Sequence, residues 1–317
     1  MEYIKIGQTD LKASRIGLGC MHLGGSWDNS QVSEEAEEKA IQAITQAIKE
    51  GINFFDHADI YCNGKSEEVF SKIWELNPSL REKVIIQSKC GIKLGENGCY
   101  DFSKKHILNS VDNILDRLKT DYLDILLLHR PDPLVDYKEV AQAFDILHKK
   151  GKVRHFGVSN HNPMQMALLE RDINQPIEVN QMEYSLANSQ LIDEGMNVNS
   201  SKNEGYTRSD GTLEYCRLQE ITLQAWSPLA SGRLTGDNVS PKFKKVKAVI
   251  EEMAEEKVVS QEAIALAWVL RHPAKIQPII GSTSPQRIHD CCEAMKVKLS
   301  REEWYRLYKS IEGRVLL

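Results

Sequence analysis

The chain has 317 residues, 41% of them hydrophobic and 27% charged, with a formal net charge of -5; such a chain buries a large core, and its balance argues against a surface dedicated to nucleic acid or membrane. Its start, MEYIKIGQTDLKASR, is charged from the second residue, and no apolar run is long enough to span a bilayer, which predicts a cytoplasmic protein acting on small molecules, monomeric or weakly self-associating. The seven cysteines are scattered without a C-x-x-C pair and read as reduced thiols, while His289, Cys291 and Cys292 read as neighbours on one helix with no metal role.

From the N-terminus, short runs rich in Val, Ile, Leu and Phe alternate with longer segments of helical period. SRIGLGCM (14–21) precedes SEEAEEKAIQAITQAIKEG (33–51), NFFDHAD (53–59) precedes SEEVFSKIWEL (66–76), and VIIQSKC (84–90) precedes SKKHILNSVDNILDRL (103–118). LDILLLHR (123–130) leads into VDYKEVAQAFDILHKKG (135–151), and VRHFGVSN (153–160) into NPMQMALLERD (162–172). IEVNQMEY (177–184) is followed by a long polar loop, ITLQAWSPL (221–229) by a tract ending in SQEAIALAWVLRH (260–272), and QPIIGS (277–282) by SPQRIHDCCEAM (284–295). The eight strand runs are almost continuously apolar, as parallel strands buried on both faces must be. The pattern predicts an α/β protein, a (β/α)8 TIM barrel forming a single domain over residues 1–317. A doubly wound sheet would need a glycine fingerprint that GLGCMHLGG does not match.

In such a barrel the site is built where strands end, and the strand ends here are polar. Asp56 ends the second run, Lys89 the third, His129 the fourth, Ser159 and Asn160 the fifth, Gln181 the sixth, Ser227 the seventh and Ser282 the eighth. Taken singly, Asp56 caps a turn, Tyr61 packs, Lys89 reaches the surface and His129 is a core histidine. Their arrival on one rim from consecutive strands favours a site. A tyrosine, with a reference pKa of about 10, needs a nearby ammonium to approach the working range, and Lys89 can supply it if Asp56 holds the charge. His129 then donates to a substrate oxygen, which is an arrangement for reducing a carbonyl without metal, lacking only a hydride donor. At the last helix, GSTSPQR places Ser284 as N-cap, Pro285 at the first helical position and Arg287 beside free backbone donors, where a phosphate fits.

DHADIY, VIIQSKCGI, ILLLHRPDP, GKVRHFGVSN, QAWSPLASGRL and PIIGSTSPQRI together resemble the aldo-keto reductase superfamily, in register from about residue 14 to the final helix. The SKCGI and HRPDPL runs are similar to its bacterial, NADP-linked oxidoreductase branch. The resemblance implies a catalytic tetrad of Asp56, Tyr61, Lys89 and His129. It further implies that Ser159, Asn160 and Gln181 hold the nicotinamide carboxamide, that Trp226 stacks on the ring, and that Ser227, Leu229, Gly232 and Arg233 wrap the pyrophosphate. Gly281, Ser282, Thr283 and Arg287 fall at the ribose 2'-phosphate, which favours NADP(H). The chain departs from the family at Gly281, where a lysine is frequent, at Cys291, where asparagine is common, and at Cys62, where glycine often follows the tyrosine. His57 has no role in the scheme, and alternation points it away from the barrel centre.

Two other readings stay open: a nicotinamide-binding regulatory subunit, and a barrel lyase forming a Schiff base on Lys89. The segment SLANSQLIDEGMNVNSSKNEGYTRSDGTL (185–213) exceeds ordinary connections, so it is expected as a lid or an insertion, with Tyr206 and Arg208 as candidate contacts. Only RVLL follows the last helical run, so a long C-terminal flap is not expected.

Overall fold

In the computed structural model, residues 1–196, 209–236, 239–311 and 314 are described. Their strands, in chain order, are β1 (Tyr3–Lys5), β2 (Lys12–Ser14), β3 (Gly17–Gly19), β4 (Phe54–Asp56), β5 (Ile85–Cys90), β6 (Ile92–Lys93), β7 (Cys99–Tyr100), β8 (Leu123–Leu128), β9 (Val153–Ser159), β10 (Ile177–Glu183), β11 (Thr222–Trp226) and β12 (Gln277–Ile280). Eight of these, β3, β4, β5, β8, β9, β10, β11 and β12, close into one parallel barrel in that order, with β12 returning to β3. Each of the eight strand runs read from the sequence contains one stave.

Successive side chains on a stave face opposite ways. Phe54 turns inward with Ile85, Ile125, Leu127, Val179 and Ile279, while Phe55 turns outward onto Phe70 of a covering helix, ring centroids 5.1 Å apart. Both sets are buried, which is why the staves read as unbroken apolar runs. The hairpin β1–β2 was not expected from sequence; its Ile6 and Ala13 join the inward cluster and plug the N-terminal end of the barrel. Only the C-terminal rim is left for polar chemistry.

Helices start where short polar side chains relieve the unpaired N–H groups. Ser33 accepts from Ala36 N ahead of Glu34–Lys49, Ser103 from His106 N ahead of Lys104–Leu118, and Ser260 from Ala263 N ahead of Gln261–Leu270. Asn162 forms a reciprocal capping box with Gln165 ahead of Pro163–Glu170. The final helix, Arg301–Lys309, is clasped to Gln261–Leu270 by paired tryptophans: Trp268 and Trp304 stack at 4.9 Å, and each indole N–H donates to the other's backbone carbonyl.

The segment read as a long polar loop contains helices at Gln190–Met196 and Thr212–Leu218, too short and too polar to show a helical period in sequence. Tyr206 and Arg208 lie outside the described residues. Of the last four residues Arg314 is described; its guanidinium donates to Leu186 O at 2.7 Å and lies over the Tyr308 ring. Among the described residues no helix is long and apolar enough to cross a membrane.

Candidate active site

Barrel closure brings the four sequence-predicted catalytic residues to one point. Asp56 ends β4 opposite Gln87 of β5, and Lys89, two residues further along β5, faces the same way. Lys89 Nζ donates to Asp56 Oδ1 and Oδ2 at 2.8 and 2.7 Å, to His57 O at 2.9 Å and to Tyr61 Oη at 3.1 Å. Lysine and aspartate are almost wholly removed from solvent. Tyr61 is carried by a turn in which Cys62 and Asn63 take left-handed φ of 48° and 58°, a tight reversal that aims the ring back over Lys89. The His129 ring stands edge-on to Tyr61, centroids 6.1 Å apart, and its Nδ1 has no hydrogen-bond partner among the described residues.

The electrostatics differ in one respect from the sequence expectation. Burial pushes the Tyr61 phenol up, the Lys89 ammonium pulls it down, and Asp56 adds a further upward push, with a net rise. The lysine alone therefore does not bring the phenol toward neutrality, and Tyr61 stands protonated, the form a proton donor requires. Burial lowers Lys89, yet the Asp56 carboxylate and Tyr61 more than reverse this, so it remains an ammonium. Burial, Lys89 and Arg130 hold His129 well below its ordinary value, so its imidazole is neutral.

Beneath the four residues runs a chain of buried amides, of which the sequence singled out only Gln181. Asp56 Oδ1 also accepts from Gln87 Nε2 at 2.6 Å and from Gln181 Nε2 at 3.1 Å. Both amides donate in addition to Gln224 Oε1, at 2.8 and 2.9 Å, and Gln224 donates to Gln277, which donates to Ser14 O. The signal was present: four staves each carry a glutamine within an apolar run. On the outer side of β4 and β5, Glu67 accepts from Ser88 and Arg117, and burial raises its pKa to about 7; Asp59, in the same cluster, is raised to about 6. His57 lies outside the barrel against Phe70 at 4.6 Å, pushed down to about 3 by burial, in keeping with a structural place.

A cavity of about 600 Å3 opens over Tyr61 and His129 and extends across the rim. Ser159, Asn160, Gln181, Trp226, Ser227, Leu229, Gly232, Gly281, Ser282 and Arg287 line it, all positions read from the sequence as cofactor contacts. Asn160, at φ 61°, donates to Ser159 Oγ and accepts from Trp226 Nε1 at 3.1 Å, locking the indole in the wall. Ser227, Ala230, Ser231 and Gly232 all have positive φ, so this segment curls its backbone tightly at the cavity wall. Gly232 sits where a Cβ would lie 4.0 Å from Arg287 Nη2, and a Cβ on Gly281 would meet nothing within 4 Å. A phosphate-bearing dinucleotide fits this wall: an aromatic face and amides at one end, a tight backbone curl in the middle and a guanidinium at the other. Two sequence-predicted contacts are not among the lining residues. Thr283 borders a separate hollow with Lys39, and the Arg233 guanidinium donates to Ala230 O and lies 6.0 Å from the Phe243 ring.

Residues 15–312 match the family model described as the aldo/keto reductase family. The chain is 39% identical to Oxidoreductase YdhF of Escherichia coli over 86% of this chain and 87% of that protein. It is 36% identical to Uncharacterized oxidoreductase YcsN of Bacillus subtilis over 99% of both chains. The structure resembles the thermostable aldo-keto reductase Tm1743, solved with the inhibitor epalrestat, with a TM-score of 0.79, 27% identity and coverage of 98% of this chain and 100% of the other.

Proposed function

Since the chain belongs to the aldo/keto reductase family, we propose that it is an NADP(H)-dependent oxidoreductase that reduces an aldehyde or ketone to the alcohol. The observation that carries this reading is the Lys89 ammonium, buried between the Asp56 carboxylate and the Tyr61 hydroxyl, beneath a cavity that Tyr61 shares with His129. A reduced nicotinamide, when bound, supplies hydride to the carbonyl carbon. Tyr61 holds the proton that the carbonyl oxygen takes, and Lys89 compensates the phenolate left behind. Asp56 keeps Lys89 charged, with its own position set by Gln87 and Gln181. The neutral His129 orients the carbonyl oxygen by a hydrogen bond. Ser159, Asn160 and Gln181 serve as amide partners, Trp226 as an aromatic wall, Ser227 to Gly232 as the phosphate curl, and Ser282 with Arg287 as the ribose end.

The same geometry speaks against a Schiff-base lyase. That chemistry needs a neutral amine free to attack, whereas Lys89 is held as an ammonium with donors directed at Asp56, His57 O and Tyr61. The test is a panel of aldehydes and ketones followed by NADPH absorbance, with Tyr61→Phe as control. The variant is expected to lose about 100-fold to 10,000-fold in carbonyl reduction while binding NADPH almost as the wild type does. Near-normal turnover by Tyr61→Phe, or borohydride trapping of substrate on Lys89, would overturn the assignment.

A further inference from the structure

Arg287, the sequence-predicted 2'-phosphate ligand, already faces an anion. Its Nη2 lies 3.7 Å from Glu262 Oε1, on the first turn of the helix Gln261–Leu270. The Glu262 side chain is only 16% exposed, and the same Oε1 accepts from Thr235 Oγ1 at 3.3 Å. Thr235 lies three residues beyond Gly232, where the curled segment ends, so the carboxylate ties the chain leaving the proposed phosphate wall to the arginine helix. Its other oxygen, Oε2, has no donor among the described residues.

Arg287 is, among the described residues, the one cation within ion-pair distance of this carboxylate. Among the charged lining residues Arg130 lies at the opposite end, 5.5 Å over the Trp226 ring, and Asp56 is matched by Lys89. Gly281 contributes space and no charge. A ribose 2'-phosphate arriving here competes with Glu262 for Arg287 and is repelled by the carboxylate. A ribose 2'-hydroxyl meets neither cost and can donate to a carboxylate oxygen, the way acidic side chains commonly recognise NAD.

Resting on the reading of this cavity as a nicotinamide dinucleotide site, we infer that Glu262 is a cofactor-discriminating residue. It holds down the advantage of NADPH, so that NADH is accepted beside it. The residue acts on the adenosine end alone and leaves Tyr61, Lys89 and His129 undisturbed.

The experiment measures dissociation constants of NADPH and NADH by quenching of intrinsic tryptophan fluorescence, without substrate, for wild type, Glu262→Gln and Arg287→Ala. Glutamine keeps the shape and an oxygen for Thr235 while removing the charge. Glu262→Gln is expected to tighten NADPH on the order of tenfold, the scale of one unit charge a few ångströms away near a surface, with NADH unchanged or weakened by a few fold. Arg287→Ala is expected to weaken NADPH by at least tenfold and to spare NADH. A ratio of the two constants that moves less than twofold in Glu262→Gln overturns the inference while leaving the dinucleotide site intact. Failure of wild type to bind either dinucleotide overturns both readings. Should Glu262→Gln fold poorly, Glu262→Asp keeps the charge but withdraws it by one methylene, and an intermediate gain for NADPH is required of it.

Discussion

The Asp56–Lys89 pair makes a prediction that can be worked through in some detail. Asp56→Asn leaves one oxygen to accept from Gln87 and Gln181, but it points an amide N–H2 at the lysine where an acceptor stood. Removing one partner of a buried ion pair costs roughly 3–5 kcal/mol, because the remaining charge is stranded. At roughly 2 °C per kcal/mol for a chain of this size, the melting temperature falls by about 6 to 10 °C near neutral pH. In the wild type, Lys89 is raised, so its contribution is fully present below the unfolded lysine pKa and is lost only as pH climbs through the folded value. In the variant burial is opposed only by the Tyr61 and His57 O contacts and no longer by a carboxylate, so the lysine falls below its wild-type value, and the penalty is greatest at low pH and fades as the amine deprotonates. The gap between the two proteins should therefore narrow from pH 6 to pH 9. Tyr61 loses its ammonium neighbour at the same time, so turnover falls by about 100-fold or more with NADPH binding retained. Calorimetric melts at pH 6, 7.5 and 9, with steady-state rates alongside, check both parts. A gap that stays constant or widens with pH would refute the reasoning that Asp56 is what keeps the lysine charged.

Glu67, raised to about 7 by burial against the pull of Arg117 and Ser88, gives stability that is present below about pH 4.5 and drains away as pH rises through 7, by up to about 3 kcal/mol. Glu67→Gln should flatten melting temperature between pH 5 and pH 8, and a slope equal to that of wild type counts against it. Gln224→Leu strands the amide N–H groups of Gln87 and Gln181 and the oxygen of Gln277, at about 1–3 kcal/mol for each buried group left unpaired. It should lower both the denaturant midpoint and turnover, since the amides that aim Asp56 lose their anchor; a variant as stable and active as wild type contradicts that role.

The staves and the rim residues were legible because both follow from short-range rules. A buried parallel strand declares itself as an apolar run, and a polar residue at its end has nowhere to go but the rim, so Asp56, Lys89, His129, Asn160 and Gln181 could be grouped before any contact was known. The helices at Gln190–Met196 and Thr212–Leu218 were missed because seven residues rich in polar groups carry no readable period, and the hairpin β1–β2 because its three-residue strands are too short to alternate.

By itself the sequence determined which residues stand at the strand ends, and with them the barrel and the four residues proposed as catalytic. Only the tertiary structure decided what each of those residues faces. The Gln87–Gln224–Gln277 chain, the carboxylate of Glu262 at Arg287, and the balance in which burial outweighs Lys89 at Tyr61 all join residues from separate elements. Those pairings depend on stave register and on closure of β12 against β3. Strand and helix character depends on neighbours a few positions away in the chain, whereas charge and hydrogen bonding depend on distance in space, which no local pattern records.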